Sequence, residues 1–164
     1  MLRYFNGLMA MVICGVLAAA YGYQIIFQHQ PCPLCWLQRS AMIAIALSAL
    51  MNLYFGCKPA HYGLCIFSAL SGMAVSLRHI SLHICPTFGS FGSPVFGLSL
   101  YVWAFLIYAA VLLATASFLM LQDVHKPLEP TFGVWEKMIS AIVALAIFGN
   151  VLSIGIQCGF SACK

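Results

Sequence analysis

An all-α, polytopic bundle of transmembrane helices is the fold class this sequence predicts, and three observations predict it. Hydrophobic residues fill 63% of the 164 positions and charged residues only 6%, whereas a soluble domain is nearer half apolar and a quarter charged. Mean hydropathy is +1.01. The apolar residues fall into five blocks, each near the ~20 residues that cross a hydrocarbon core. A chain with so little polar surface has membrane lipid as its solvent. The net charge of +4 is scattered over seven Lys/Arg and three Asp/Glu with no basic run, so there is no nucleic-acid footprint.

The elements follow in order, as one integral membrane domain over residues 1–164 with a four-helix core and a fifth helix. The first block is 8–27. The N-terminus has the look of a signal peptide, but the apolar run continues to Phe27 and no polar mature chain follows "AAA". It therefore reads as an uncleaved membrane helix. The second block is 36–54. The third, 62–79, is short and borrows a turn through Arg78 and His79. The fourth is 95–121 and the fifth 138–156. Between them lie "QHQPCP", "FGCKPAHYG", "CPTFGSFGSPVFG" and "QDVHKPLEPTFGVWEK", all carrying turn residues. The last holds all three acidic residues and is the solvated loop.

Five crossings fix which loops share a side. With the N-terminus on side A, the loop of Cys32 and Cys35, the loop of Cys85 and the tail with Cys158 and Cys163 all fall on side B. Cys57 faces side A, and Cys14 and Cys65 lie inside helices as small apolar fillers. Side A carries Arg3, Lys58, Lys126 and Lys137, against Arg39, Arg78 and Lys164 on side B. The positive-inside rule makes A cytoplasmic, and cysteine pairs gathered on B suit an oxidising compartment outside the cytoplasm.

The stretch "QPCPLCWLQR" carries the chemistry. Its cysteine pair admits three readings. A structural zinc site needs four ligands, which Cys158 and Cys163 would have to complete. A static disulfide across two intervening residues closes a tiny loop and removes little unfolded-chain entropy. A redox couple is the third use of this spacing. The surroundings favour the third, with no metal expected. Pro31 and Pro33 break the chain just before an apolar helix, so the cysteines sit at a helix N-terminus, where unpaired N–H groups stabilise a thiolate. Arg39 lies four residues after Cys35, on the same face and one turn into the bilayer. At that depth an arginine either snorkels to the headgroups or serves a site. Arg78 and His79 end the third block at a similar level, and three such groups beside a dithiol suit an electron-rich, oxygen-bearing ligand.

"CPLCWLQR" opening an apolar helix, "RHISLH" closing the next and "FGSPVFGLSLYVWAF" opening the fourth resemble the DsbB family of bacterial inner-membrane thiol oxidases. The resemblance implies that a DsbA-like periplasmic thioredoxin-fold dithiol oxidase delivers two electrons, which pass to a membrane quinone, ubiquinone or menaquinone. It implies that Cys32 and Cys35 are the membrane-proximal redox pair, with Cys35 nearest the quinone and its thiolate the reactive one. Arg39 and His79 correspond to the family's quinone-binding arginine and its nearby histidine. The sequence departs from the best-known pattern in one respect. The second external loop has only Cys85, and "QCGFSACK" follows a fifth helix instead. Cys158 and Cys163 are therefore expected to replace the partner-facing pair. The alternatives are an enzyme like the vitamin K epoxide reductase family, whose CxxC sits late in the chain, and a zinc-stabilised adaptor without activity.

Overall fold

In a computed structural model, the structure describes residues 2–27, 32–84, 94–121 and 133–158, with side chains as far as Ile156. Five helices make up the architecture: α1 (Leu2–Phe27), α2 (Pro33–Phe55), α3 (Pro59–His83), α4 (Leu100–Leu121) and α5 (Val134–Cys158). All five are long and apolar enough to cross a membrane, and the protein is a multi-pass membrane helical bundle. Helices α1 to α4 pack around a shared core that includes Ile13, Leu17, Ile45, Ala49, Cys65 and Tyr108, and α5 lies against α1 and α2.

Four of the helices are longer than their apolar blocks, because polar residues at their ends find partners inside the bundle. Helix α1 begins at Leu2, six residues before Leu8. The Nε of Arg3 donates to Oε1 of buried Glu136 at 2.6 Å. Asn6 is fully buried, its amide donating to the Leu2 carbonyl at 2.8 Å and to the Tyr62 hydroxyl at 2.9 Å. Its Oδ1 accepts from Asn52 at 2.9 Å, and the Oδ1 of Asn52 lies 3.0 Å from Nδ1 of His61. Helices α2 and α3 each place a proline in the first turn, where the missing N–H has no intrahelical partner to lose. Helix α3 continues through Arg78 and His79 to His83. Helix α4 starts later than expected, at Leu100. Val95 and Leu98 exchange backbone hydrogen bonds of 2.9 and 3.1 Å instead. Positive φ at Phe96 (51°) and Gly97 (79°) closes this as a hairpin-type turn, and the Trp103 indole N–H clamps it through the Val95 carbonyl at 2.9 Å.

The bundle is apolar outside and polar-dotted inside. Leu8, Phe67, Leu113, Leu145 and Phe148 face outward, whereas Ser48, Asn52, Ser68, Ser76 and Thr115 are buried. Lipid gives no hydrophobic drive for helix association, so close packing and interhelical hydrogen bonds supply it. One layer sets the rotation of α2. Gln38 donates to Ser76 on α3 at 3.0 Å, and its carbonyl accepts from the Tyr108 hydroxyl on α4. Gly72 on α3 makes room for the Tyr108 ring, which a Cβ there would strike. Gly72→Ala is therefore expected to lower stability by about 1–3 kcal/mol, read as an earlier unfolding transition in detergent micelles. The same substitution at Gly63, which has open space, should leave the transition in place.

Candidate functional site

The site lies at one end of the bundle, where α2 begins, α1 and α3 end, and α4 begins. Cys32 is the N-cap of α2, with Pro33 following in the first turn. Its carbonyl accepts from the N–H groups of Cys35 (2.9 Å) and Trp36 (3.3 Å), and its Sγ accepts from the Cys35 N–H at 3.3 Å. The helix start therefore surrounds Cys32 with backbone donors. Its Sγ lies 2.9 Å from the Cys35 Sγ and 3.8 Å from Nε2 of His79.

These contacts act on the Cys32 thiol. The hydrogen bond from the Cys35 thiol, followed by that from His79, holds the Cys32 thiol well below the ordinary cysteine range, against the opposing effect of burial. The resemblance makes Cys35 the sulfur nearest the quinone, and the hydrogen-bond contacts at the start of α2 fall on the Cys32 sulfur.

His79 is 2% exposed. Its ring packs against Tyr101 of α4 at 4.6 Å between centroids and against His83 at 5.0 Å. His83 is tied back through its Nδ1 to the His79 carbonyl at 2.9 Å. An aromatic wall from α3 and α4 therefore holds the imidazole beside Cys32.

Arg39 turns the other way, toward α1. It is 8% exposed, so other helices and not the lipid-facing surface surround it. Its Nη1 donates to Oε1 of Gln24 at 2.7 Å and its Nη2 to the Ala20 carbonyl at 3.3 Å. Its guanidinium carbon lies 4.9 Å from the centre of the Tyr21 ring. Gln24 in turn donates to Ser153 of α5 at 3.1 Å. The Tyr21 hydroxyl donates to the Ala146 carbonyl at 3.0 Å, and Asn150 reaches Ser40 at 3.4 Å. The partners of Arg39 are thus neutral. Among the described residues the sole salt bridge joins Arg3 to Glu136, at the far end of the bundle. Among the described residues no carboxylate pairs with Arg39, and a buried guanidinium is suited to a ligand whose oxygens gain negative charge. Beside the pair, the buried Trp36 indole N–H has no acceptor among the described residues.

The structure thus brings Cys32, Cys35 and His79 together and places Arg39 in the neighbouring α1–α5 pocket of polar groups. Arg78, grouped with them by sequence, faces outward. Helix α5 ends at Cys158, at this same end of the bundle. The Cys158 side chain, Cys163 and Cys85 lie outside the described residues. Sequence reasoning missed Tyr21, Gln24, Tyr101 and Ser153. The signal for Gln24 was a polar residue in an otherwise apolar helix end, which marks an interior-facing position.

Comparison with known proteins places these residues in a family context. The family model described as "Disulfide bond formation protein DsbB" matches residues 2–90, which include Cys32, Cys35, Arg39 and His79 but not α4, α5 or the tail. Disulfide bond formation protein B of Marinobacter nauticus is 34% identical over 90 residues, 51% of this chain and 52% of that protein. The proteins of the same name from Xanthomonas euvesicatoria (34% over 108 residues, 62% and 63%) and Ralstonia nicotianae (37% over 89 residues, 51% and 54%) are also similar. The matched part spans about half to three fifths of the length of these relatives. No solved structure matches the chain.

Proposed function

The chain belongs to the DsbB family of disulfide bond formation proteins, and on that premise we propose that it is a dithiol:quinone oxidoreductase of the bacterial inner membrane. Its reading as an oxidase rests most on one observation, the Cys32 sulfur at the cap of α2, accepting from the Cys35 backbone N–H and facing both the Cys35 sulfur and His79. Its substrate is the reduced dithiol of a DsbA-like periplasmic protein. The N-terminus faces the cytoplasm, and the cysteine pair and the end of α5 face the periplasm.

In the first half-reaction a thiolate of the partner attacks a disulfide of this protein, forming a mixed disulfide. The partner's second thiol then displaces it. The partner leaves oxidised, and two electrons and two protons remain on this protein's pair. Cys158 and Cys163 receive them first and pass them to Cys32 and Cys35 by internal exchange. Cys32 is the better leaving sulfur, because its contacts favour the thiolate.

The residues present fit a quinone. Arg39 and the Trp36 N–H offer buried donors for carbonyl oxygens, and the Tyr21 ring lies against the Arg39 guanidinium. When bound there, a membrane quinone, ubiquinone or menaquinone, would supply the acceptor for the two electrons and two protons of the reduced pair. Arg39 would hold and polarise an oxygen, a bond that tightens as that oxygen gains charge. Gln24 and Tyr21 hold Arg39 in place, and His79 keeps Cys32 ionised and is placed to pass a proton.

The test uses the full chain in quinone-containing micelles with a reduced thioredoxin-fold partner. One quinone should be reduced for each partner disulfide formed, and partner oxidation without quinone reduction would overturn the reading. Thiol mapping tests the relay. Cys158 and Cys163 should resist alkylation until a reductant is added, and two freely reactive thiols in the oxidised protein would remove them from the path.

A further inference from the structure

We propose that the reduced protein binds one thiophilic divalent cation, with zinc as the test ion, through Cys32, Cys35 and His79, and that this cation holds the pair reduced and stops oxidation. The donor atoms of the three residues all lie within 4.8 Å of one another. Zinc bonds sulfur at about 2.3 Å and imidazole nitrogen at about 2.0–2.1 Å, so a tetrahedral site needs sulfur–sulfur and sulfur–nitrogen edges of about 3.5–3.8 Å. The Cys32 Sγ to His79 Nε2 edge is 3.8 Å. The Sγ–Sγ edge is 2.9 Å and opens by rotation of one cysteine side chain in the first turn of α2.

The supporting contacts suit a metal thiolate. The Cys35 N–H points at the Cys32 Sγ, and such outer contacts orient ligands and tune metal affinity. Tyr101 and His83 fix the plane of the His79 ring. Two thiolates and one dication leave no net charge at the membrane edge. Three protein ligands leave a fourth position open, the pattern of an exchangeable site and not of a closed structural one. This is a different donor set from four cysteines, and it is built wholly within the described residues.

Binding balances without a redox step: both sulfurs bind as thiolates, and any proton still held by the pair passes to solvent as the sulfur–metal bonds form. A disulfide between Cys32 and Cys35 has no thiolate to offer, so metal and disulfide exclude each other. The metal-binding claim stands apart from the oxidase reading, and only its consequence for turnover rests on that reading.

The experiment titrates the purified full chain in micelles with cobalt(II), read by thiolate charge-transfer and tetrahedral ligand-field bands. The reduced protein should bind one equivalent and the oxidised protein none. His79→Asn should weaken binding by at least about tenfold, Cys32→Ser should abolish the charge-transfer band of the paired thiolates, and Cys158→Ala/Cys163→Ala should keep the site. No band in the reduced protein, undiminished binding in His79→Asn, or loss in the double alanine variant would overturn the proposal. Zinc should then slow dithiol oxidation and a chelator should restore it. Binding without slowing would overturn the switch while leaving the oxidase reading intact, and the cobalt spectrum needs neither quinone nor partner.

Discussion

Cys35→Ser is expected to reduce quinone-dependent oxidation of a dithiol by at least about a thousandfold, because residues that act as one unit fail together. Serine is nearly isosteric, and the backbone contacts that cap α2 come from the Cys35 N–H and not from its side chain. The helix start therefore survives the substitution. What is lost is the second sulfur, 2.9 Å from the first, without which no disulfide closes. Cys32 also loses the thiol that contributes most to its low pKa, so the remaining sulfur should become less reactive toward iodoacetamide near neutral pH. Oxygen-free turnover assays with a small dithiol and a soluble quinone measure the first effect, and alkylation rates measure the second. Substantial remaining turnover would mean that electrons do not pass through this pair.

Arg39→Met should raise the apparent KM for quinone by about tenfold to a hundredfold, the equivalent of one charge-assisted hydrogen bond of about 1.5–3 kcal/mol. Methionine keeps the unbranched stem, so α2 should still seat against α1. Exchange between a reduced partner and the Cys32–Cys35 disulfide does not involve the guanidinium and should proceed at close to the normal rate. A variant that loses both steps equally would point to a packing role for Arg39. Arg39→Lys should fall between, since it keeps the charge but not the fork that spans Gln24 and the Ala20 carbonyl.

The helices were legible because lipid imposes a length and a hydropathy on anything that crosses it. Their ends were less so. Arg3 and Asn6 precede the first apolar block, yet both lie within α1 and meet partners from other helices, whereas Arg78 and His79 lie within α3 as the third block predicts. Within the site, the Cys32–Cys35 pair, Arg39 and His79 could be named from spacing and family resemblance. Tyr21, Gln24, Tyr101 and Ser153 could not, since their contacts span separations that no local pattern encodes. Arg78 illustrates the limit. It sits next to His79 in sequence, but one step around a helix is ~100°, enough to turn one side chain inward and the other out.

The bracing of Gln24 by Ser153 has a consequence for the order in which the chain is made. Synthesis delivers Cys32, Cys35 and Arg39 early and α5 more than ninety residues later. Until then the Arg39–Gln24 pair has its α5 side open to lipid. The cysteine pair is thus made before the polar cluster beside it is complete, and the protein acquires its full site when the fifth helix docks.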